Sequence, residues 1–366
     1  MKKAKFLIMI VLLASQSSFA QNQLATKNVI LITLDGFRWQ ELYRGAETEI
    51  LENAKFVTDQ SSVSSFGGTD GKEMRKSLLP FFWNTIATKG QLYGNRSLKS
   101  YVNCANPYWF SYPGYHEMLV GAVDRKVCSN AKTVNPNSTV LEFVSQLTEY
   151  NNKVGVFSTW DVFPFIIRES LSGIPVNSGL EMVVGDSITT HEHALNQIQM
   201  SEGKRHDSVT FHLAFEYLKR THPRLLYIAL DETDEHAHGG RYDEYLSAAH
   251  RTDQWISNLW NWIQSQPDYK DQTTLLITAD HGRGRNTRKN WRNHGRLTFG
   301  SDELWMAVLG PDTPALGEMT GGQIYQRQIA KTIAAFLGEN YQNKFTVGKT
   351  IQTMILPLPL FADLEK

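Results

Sequence analysis

Four segments of the chain share one layout, in which an apolar, β-branched run gives way abruptly to carboxylates or histidines. NVILITLD ends at Asp35, RLLYIALDETDEHAH carries Asp234 and His238, TTLLITADHG ends on Asp280 and His281, and a following NHG supplies His294. Apolar runs of about four to eight residues with polar punctuation predict fully buried strands. The pattern therefore predicts strands over 28–35, 153–158, 224–231, 273–279 and 304–310. Between them, three- and four-residue apolar steps predict helices over 78–90, 139–150, 208–220, 242–263 and 322–337. Thr139 and Glu142 read as a capping box, and Gly90 and Gly338 as helix stops. Strands alternating with helices make an α/β fold with a mostly parallel central sheet covered by helices on both faces. The span 36–130 carries a weaker signal, including the Ser- and Gly-rich SSVSSFGGTDGK, and is expected to form loops and insertions over the sheet edge.

In parallel sheets, ligands collect outside the carboxyl ends of the strands. Three carboxylates and three histidines thus converge on one sheet edge, which is the composition of a metal site. Asp and His without thiolates suit zinc, with manganese second. Six such ligands divide between two ions about 4 Å apart, an arrangement that clamps the attacking and leaving oxygens of an in-line displacement at phosphorus. In DETDEHAH the four-residue step from Asp234 to His238 can grip one ion, although Asp231, Glu232 and His236 are rivals. A nucleophile is offered by Ser111 in FSYPGY, where Pro113 and Gly114 are expected to fix a sharp turn.

Charge adds an exclusion. Lys plus Arg equals Asp plus Glu, 37 of each, so nothing indicates nucleic-acid polymer binding. MKKAKFLIMIVLLASQSSFA has a basic start, a short apolar run and a small-x-small end. It reads as a signal peptide over 1–20, too short to span a membrane, followed by one catalytic domain over 21–366. This implies a secreted, periplasmic protein. In that oxidising compartment the only two cysteines, Cys104 and Cys128, are expected to form a disulfide.

The motifs LDGFR (34–38), SYPGY (111–115), DEHAHGG (234–240), ADHG (279–282) and NHG (293–295) together resemble the alkaline phosphatase superfamily, and most of all its nucleotide pyrophosphatase/phosphodiesterase branch. The resemblance runs from Asp35 to about Pro311. It implies that Asp35, Asp280 and His281 hold one zinc, which also takes the Ser111 oxygen, and that Asp234, His238 and His294 hold the other. Ser111 stands where that branch usually has threonine. The family also places an amide or cation on a phosphoryl oxygen. Asn135 or Asn137 lies at a suitable distance beyond the nucleophile, with Asn103 and Asn106 as rivals on its other side. Trp160 and Asp161, after the 153–158 strand, are expected to line the substrate pocket, and the aromatic neighbours favour a phosphodiester over a monoester. A sulfatase is disfavoured by the lack of an arginine after Ser111-Tyr-Pro, and a catalytically inactive binding module by the presence of all seven residues.

Overall fold

The computed structural model describes residues 24–355, so the leader expected over 1–20 lies outside the described residues. Among the described residues eleven strands are present: β1 Asn28–Leu34, β2 Gln91–Tyr93, β3 Tyr101–Asn103, β4 Val154–Ser158, β5 Val176–Ser178, β6 Leu225–Leu230, β7 Thr273–Thr278, β8 Glu303–Leu304, β9 Met306–Leu309, β10 Gly317–Glu318 and β11 Gln323–Tyr325. Eight of them form the main sheet in the order β10-β2-β9-β7-β1-β6-β4-β5. Only β9 runs against its neighbours. The remaining three form a small sheet, β11-β3-β8.

Every residue of β1, β6 and β7 is buried, as continuous apolar runs in a two-sided parallel sheet should be. Their register sets up the site. Leu34 pairs with Leu230, and Thr33 with Thr278. Continued past the strand ends, that register puts Asp35 between Asp231 and Asp280 at the sheet edge. The helix Tyr242–Ile263 spans the predicted residues and buries Tyr242, Leu246, Ala249, Ile256, Leu259 and Ile263. Each large aliphatic side chain so buried contributes about 1.5–3 kcal/mol. The helix Asp207–Thr221 matches its predicted position to within a residue at either end.

Several expectations are corrected. SSVSSFGGTDGK is not a loop throughout. Asp59 accepts from the Ser61 and Ser62 amides and starts a helical turn at Gln60–Val63, and Asp70 caps a helix at Gly71–Leu78. Val63, Phe66, Met74 and Leu78 are buried, so packing supports what the local composition disfavours. The 304–310 run breaks at Trp305, leaving Glu303–Leu304 in the small sheet and Met306–Leu309 in the large one. The last helix begins at Ile329, because residues 323–325 pair with β3 instead. Thr139 caps a helix that stops at Ser145.

Candidate active site

Ser111 opens a ten-residue helix, Ser111–Val120, where the sequence suggested only a turn. Each position of SYPGY has a task in placing it. Pro113 sits in the first turn, where a missing N–H costs no helical bond. Gly114 lies against β7's end, and a Cβ there would come within 2.4 Å of the Asp280 carbonyl oxygen. Glycine therefore lets the helix descend onto the strand that carries Asp280 and His281. Tyr115 donates its hydroxyl to Asp35 Oδ2 at 2.8 Å. Tyr112 donates from its hydroxyl to the Thr133 carbonyl at 2.6 Å, tying the helix start to the loop beyond.

Two groups of side chains gather at the strand ends. In each, the prospective ligand atoms all lie within 4.8 Å of one another: Asp35, Asp280 and His281 in one, Asp234, His238 and His294 in the other. The first group is fully buried. His281 Nδ1 donates to the Gly282 carbonyl at 2.9 Å, a bond that in the neutral ring turns the Nε2 lone pair toward the site. That nitrogen faces Asp35 Oδ1 at 3.3 Å, Asp280 Oδ2 at 3.5 Å and Ser111 Oγ at 3.4 Å. Asp35 Oδ1 and Asp280 Oδ2 are buried without a hydrogen-bond donor among the described residues. Burial, and then their mutual repulsion with the other site carboxylates, raises both carboxyls well above the usual range. Two orphaned carboxylate oxygens and one imidazole lone pair facing a common point are the donor set of a cation site.

The second group is stranded in the same way. His238 Nε2 and His294 Nε2 stand 2.9 Å apart, and Asp234 Oδ2 is 3.2 Å from His238 Nε2. His294 Nδ1 lies 3.4 Å from the Trp109 carbonyl. Donation there would turn His294 Nε2, as an acceptor, toward His238 and Asp234. Burial, reinforced by His281, pushes the His294 imidazolium down to about 2, so the ring is neutral. Asp234 is drawn the other way. Burial would raise it, but the Arg283 guanidinium and the neighbouring histidines hold it well below the usual carboxylate range. Asp234 and His238 sit one turn apart on the helix Glu232–Gly239.

These residues surround a cavity of about 310 Å³, lined by Ser111, Asn130, Trp160, Asp231, Asp234, Glu235, His238 and His294. Trp160 lies on the wall of this cavity. Asp161 does not, since its carboxylate turns outward to an exposed pair with Lys132 at 2.7 Å. Asn135 and Asn137 are also displaced from the expected role. Asn135 Nδ2 donates to the Ile166 carbonyl at 3.1 Å, and Asn137 Nδ2 is 2.8 Å from Asp124 Oδ2 and 3.0 Å from His116 Nε2. Both amides are spent holding buried loops together. The amide that reaches the cavity is Asn130, whose Oδ1 accepts the Tyr112 N–H at 2.9 Å and whose Nδ2 has no partner among the described residues. Neither Asn103 nor Asn106 lines the cavity. The expected disulfide is absent. Cys104 is buried, with its thiol 3.5 Å from the Asp280 carbonyl and 3.6 Å from Gln326 Oε1, whereas Cys128 is an exposed free thiol on the loop after the Ser111 helix.

Residues 46–297 match the sequence model of the type I phosphodiesterase / nucleotide pyrophosphatase family. The chain belongs to this family. The matched span contains Ser111 and all the candidate ligands except Asp35, which lies upstream of it. Members of the superfamily hydrolyse phosphate or sulfate esters and are typically dinuclear metal enzymes, and this chain is a phosphoester hydrolase with two candidate metal-binding groups. No curated protein sequence matches it. Among solved structures, wild-type alkaline phosphatase PafA aligns with a TM-score of 0.61 at 12% identity, covering 91% of this chain and 99% of that one. An inactive variant of murine ectonucleotide pyrophosphatase/phosphodiesterase 5 in complex with AMP aligns with a TM-score of 0.56 at 10% identity, covering 90% and 100%. A 2-O GAG sulfatase aligns with a TM-score of 0.54 at 12% identity, covering 90% and 74%. At such identities the likeness is one of fold, and it is the fold of the alkaline phosphatase superfamily.

Proposed function

We propose that this family member is a two-zinc phosphodiesterase with Ser111 as its nucleophile. The observation that carries the reading is the position of Ser111 Oγ, 3.4 Å from His281 Nε2 and on the same cavity as Asp234, His238 and His294. Asp35, Asp280 and His281 would hold one ion and Asp234, His238 and His294 the other, with manganese as the alternative to zinc. Ions bound there supply Lewis acidity, which lowers the pKa of the Ser111 hydroxyl and offsets charge developing on the phosphoryl oxygens. Ser111, fixed at a helix N-terminus by Gly114 and Pro113, attacks phosphorus in line and displaces the alcohol. The resulting phosphoseryl group is then hydrolysed by water. Tyr115 holds Asp35 in orientation, Arg283 holds Asp234, and the free Nδ2 of Asn130 is placed to donate to a non-bridging phosphoryl oxygen.

The composition of the cavity wall favours diesters. A monoester brings a dianionic phosphoryl group that rewards an extra cation, yet among the described residues no lysine or arginine lines the cavity. Arg38 is buried in a pair with Glu41, and Arg241 pairs with Glu235 and Glu244. Trp160 offers an apolar face to a second substituent. The catalytic unit is taken as the single domain 21–366, exported by the 1–20 leader to the periplasm. No helix among the described residues is long and apolar enough to cross a membrane.

The test is the ratio of kcat/KM for a p-nitrophenyl phosphodiester and for p-nitrophenyl phosphate, before and after chelation and zinc readdition. The reading expects diester preference, loss of turnover on chelation and recovery with zinc. A monoester preference of about tenfold or more, equivalent to about 1.4 kcal/mol, would reject the diester assignment.

A further inference from the structure

The stretch 281–301 holds six cations, Arg283, Arg285, Arg288, Lys289, Arg292 and Arg296, and no aspartate or glutamate, in a chain whose formal net charge is zero. Arg283 is buried and committed to Asp234. Arg285 pairs with Glu303, and Arg288 with Glu49. Lys289 and Arg296 are exposed and form no ion pair among the described residues. The same stretch carries two large apolar side chains held almost wholly in water, Leu297 at 97% exposure and Phe299 at 78%.

The backbone presents them. The Thr298 N–H donates to the Gly295 carbonyl at 2.8 Å, closing a turn with Arg296 and Leu297 at its centre. The Ser301 N–H donates to the Thr298 carbonyl at 3.1 Å, closing a second turn around Phe299 and Gly300. Gly282, Gly284 and Arg285 donate their amides to the Ser301, Asn293 and Phe299 carbonyls at 2.8, 3.0 and 3.1 Å, so residues 282–285 brace the base of both turns. The Arg285 guanidinium lies 5.9 Å from the centre of the Phe299 ring. A braced loop has little ordering left to lose when its side chains are covered.

Single exposed apolar residues are ordinary, but here two stand two positions apart among unpaired cations. A stable protein partner needs a packed patch of about 800 Å² on each side. Two side chains on a pair of tight turns do not make one. A bilayer interface accepts apolar side chains singly and without shape matching, and anionic headgroups attract the lysines and arginines beside them. Val184 is as exposed as Phe299, at 79%, but lies between Glu181 and Asp186 and lacks this charge match.

We propose that the turns over 295–301 are a docking site for an anionic lipid bilayer. Leu297 and Phe299 enter the interface, and Lys289 and Arg296 meet its headgroups. His294, which lines the cavity, directly precedes the first turn, so docking holds the cavity beside the lipid surface. This does not depend on which ester the cavity hydrolyses.

The experiment is cosedimentation of the purified protein with phosphatidylcholine vesicles and with mixed phosphatidylcholine–phosphatidylglycerol vesicles. The mixed vesicles should bind at least about tenfold more tightly, and the difference should shrink as salt is added. Leu297→Ser/Phe299→Ser should weaken binding to the mixed vesicles at least about tenfold. Lys289→Ala/Arg296→Ala should weaken it by about tenfold or more and flatten the salt dependence. Val184→Ser, the exposed apolar control, should bind as wild type does. Urea unfolding midpoints confirm that the variants are folded. Absence of binding to the mixed vesicles, equal binding to both kinds, an unchanged affinity in either double variant, or an equal loss in Val184→Ser would overturn the proposal. So would self-association in the absence of lipid, seen by analytical ultracentrifugation and abolished by Leu297→Ser/Phe299→Ser, since the turns would then be covered by a second copy of the chain.

Discussion

Gly36→Ala tests the packing behind both ligand groups with a single methyl. Gly36 follows Asp35 and has φ +58°, a left-handed conformation. A Cβ there would lie 2.5 Å from Arg283 Nη1, 3.0 Å from Asp234 Oδ1 and 3.1 Å from His281 Cε1. The backbone strain alone costs about 1–2 kcal/mol for a residue with a Cβ. Arg283 cannot retreat easily, because its Nε donates to the Trp291 carbonyl at 3.2 Å and its Nη2 to the Arg292 carbonyl. Any shift therefore weakens its pair with Asp234, and breaking a buried pair outright costs about 3–5 kcal/mol. Partial loss brings the expected total to about 2–5 kcal/mol, against a typical domain stability of about 5–15 kcal/mol. The variant should fold. Gly173→Ala supplies the control, since Gly173 has φ +68° but nothing lies within 4 Å of where its Cβ would sit. It should show the strain cost alone. The assay is urea unfolding of both variants, with zinc stoichiometry by elemental analysis. Gly36→Ala should lose more stability than Gly173→Ala and bind its metal at least about tenfold more weakly. Equal losses in the two variants, with full metal retention in Gly36→Ala, would refute the reasoning.

Three further outcomes are expected. Ser111→Ala should keep its metal and its fold while kcat/KM falls by at least about a thousandfold, because water at the site lacks the positioned hydroxyl; steady-state kinetics with a p-nitrophenyl diester checks this. Asp253 receives the Phe81 and Phe82 amides at 2.8 and 3.0 Å, and burial raises its carboxyl to about 7. A carboxyl raised on folding contributes stability below its unfolded pKa and loses it as pH rises through the folded value. The advantage of wild type over Asp253→Asn should therefore shrink from about pH 5 to about pH 8, as read by denaturant titrations, and a constant difference would contradict this. Cys128 should alkylate with iodoacetamide in the native protein and Cys104 only after unfolding, and a mass-spectrometric Cys104–Cys128 crosslink would contradict the two free thiols.

What could be read from the sequence was whatever local pattern fixes. Continuous apolar runs located β1, β6 and β7, and their polar ends brought Asp35, Asp280 and His281 to one edge. The four-residue step of Asp234 and His238 needed only a helical turn, and the helix Glu232–Gly239 provides one. What escaped depends on contacts distant in sequence. Gln60–Val63 and Gly71–Leu78 are helical because aspartate caps and buried apolar partners outweigh a Ser- and Gly-rich composition. Asn130 reaches the cavity because Tyr112, eighteen residues earlier, orients its amide, and no spacing rule distinguishes it from Asn135 or Asn137. Arg283 directly follows the Asp280-His281-Gly282 turn, a visible position, but its buried partnership with Asp234 appears only in three dimensions. Compartment and number single out the two cysteines as a pair, whereas the fold buries Cys104 and exposes Cys128 as free thiols.

The central claim is that Ser111 takes the phosphoryl group before water does. The stereochemical course at phosphorus tests it most directly. A P-chiral phosphorothioate diester is hydrolysed in oxygen-18 water and the configuration of the product is determined. Two successive in-line displacements, the first by Ser111, predict overall retention. Overall inversion would mean a single direct attack by water and would contradict the account.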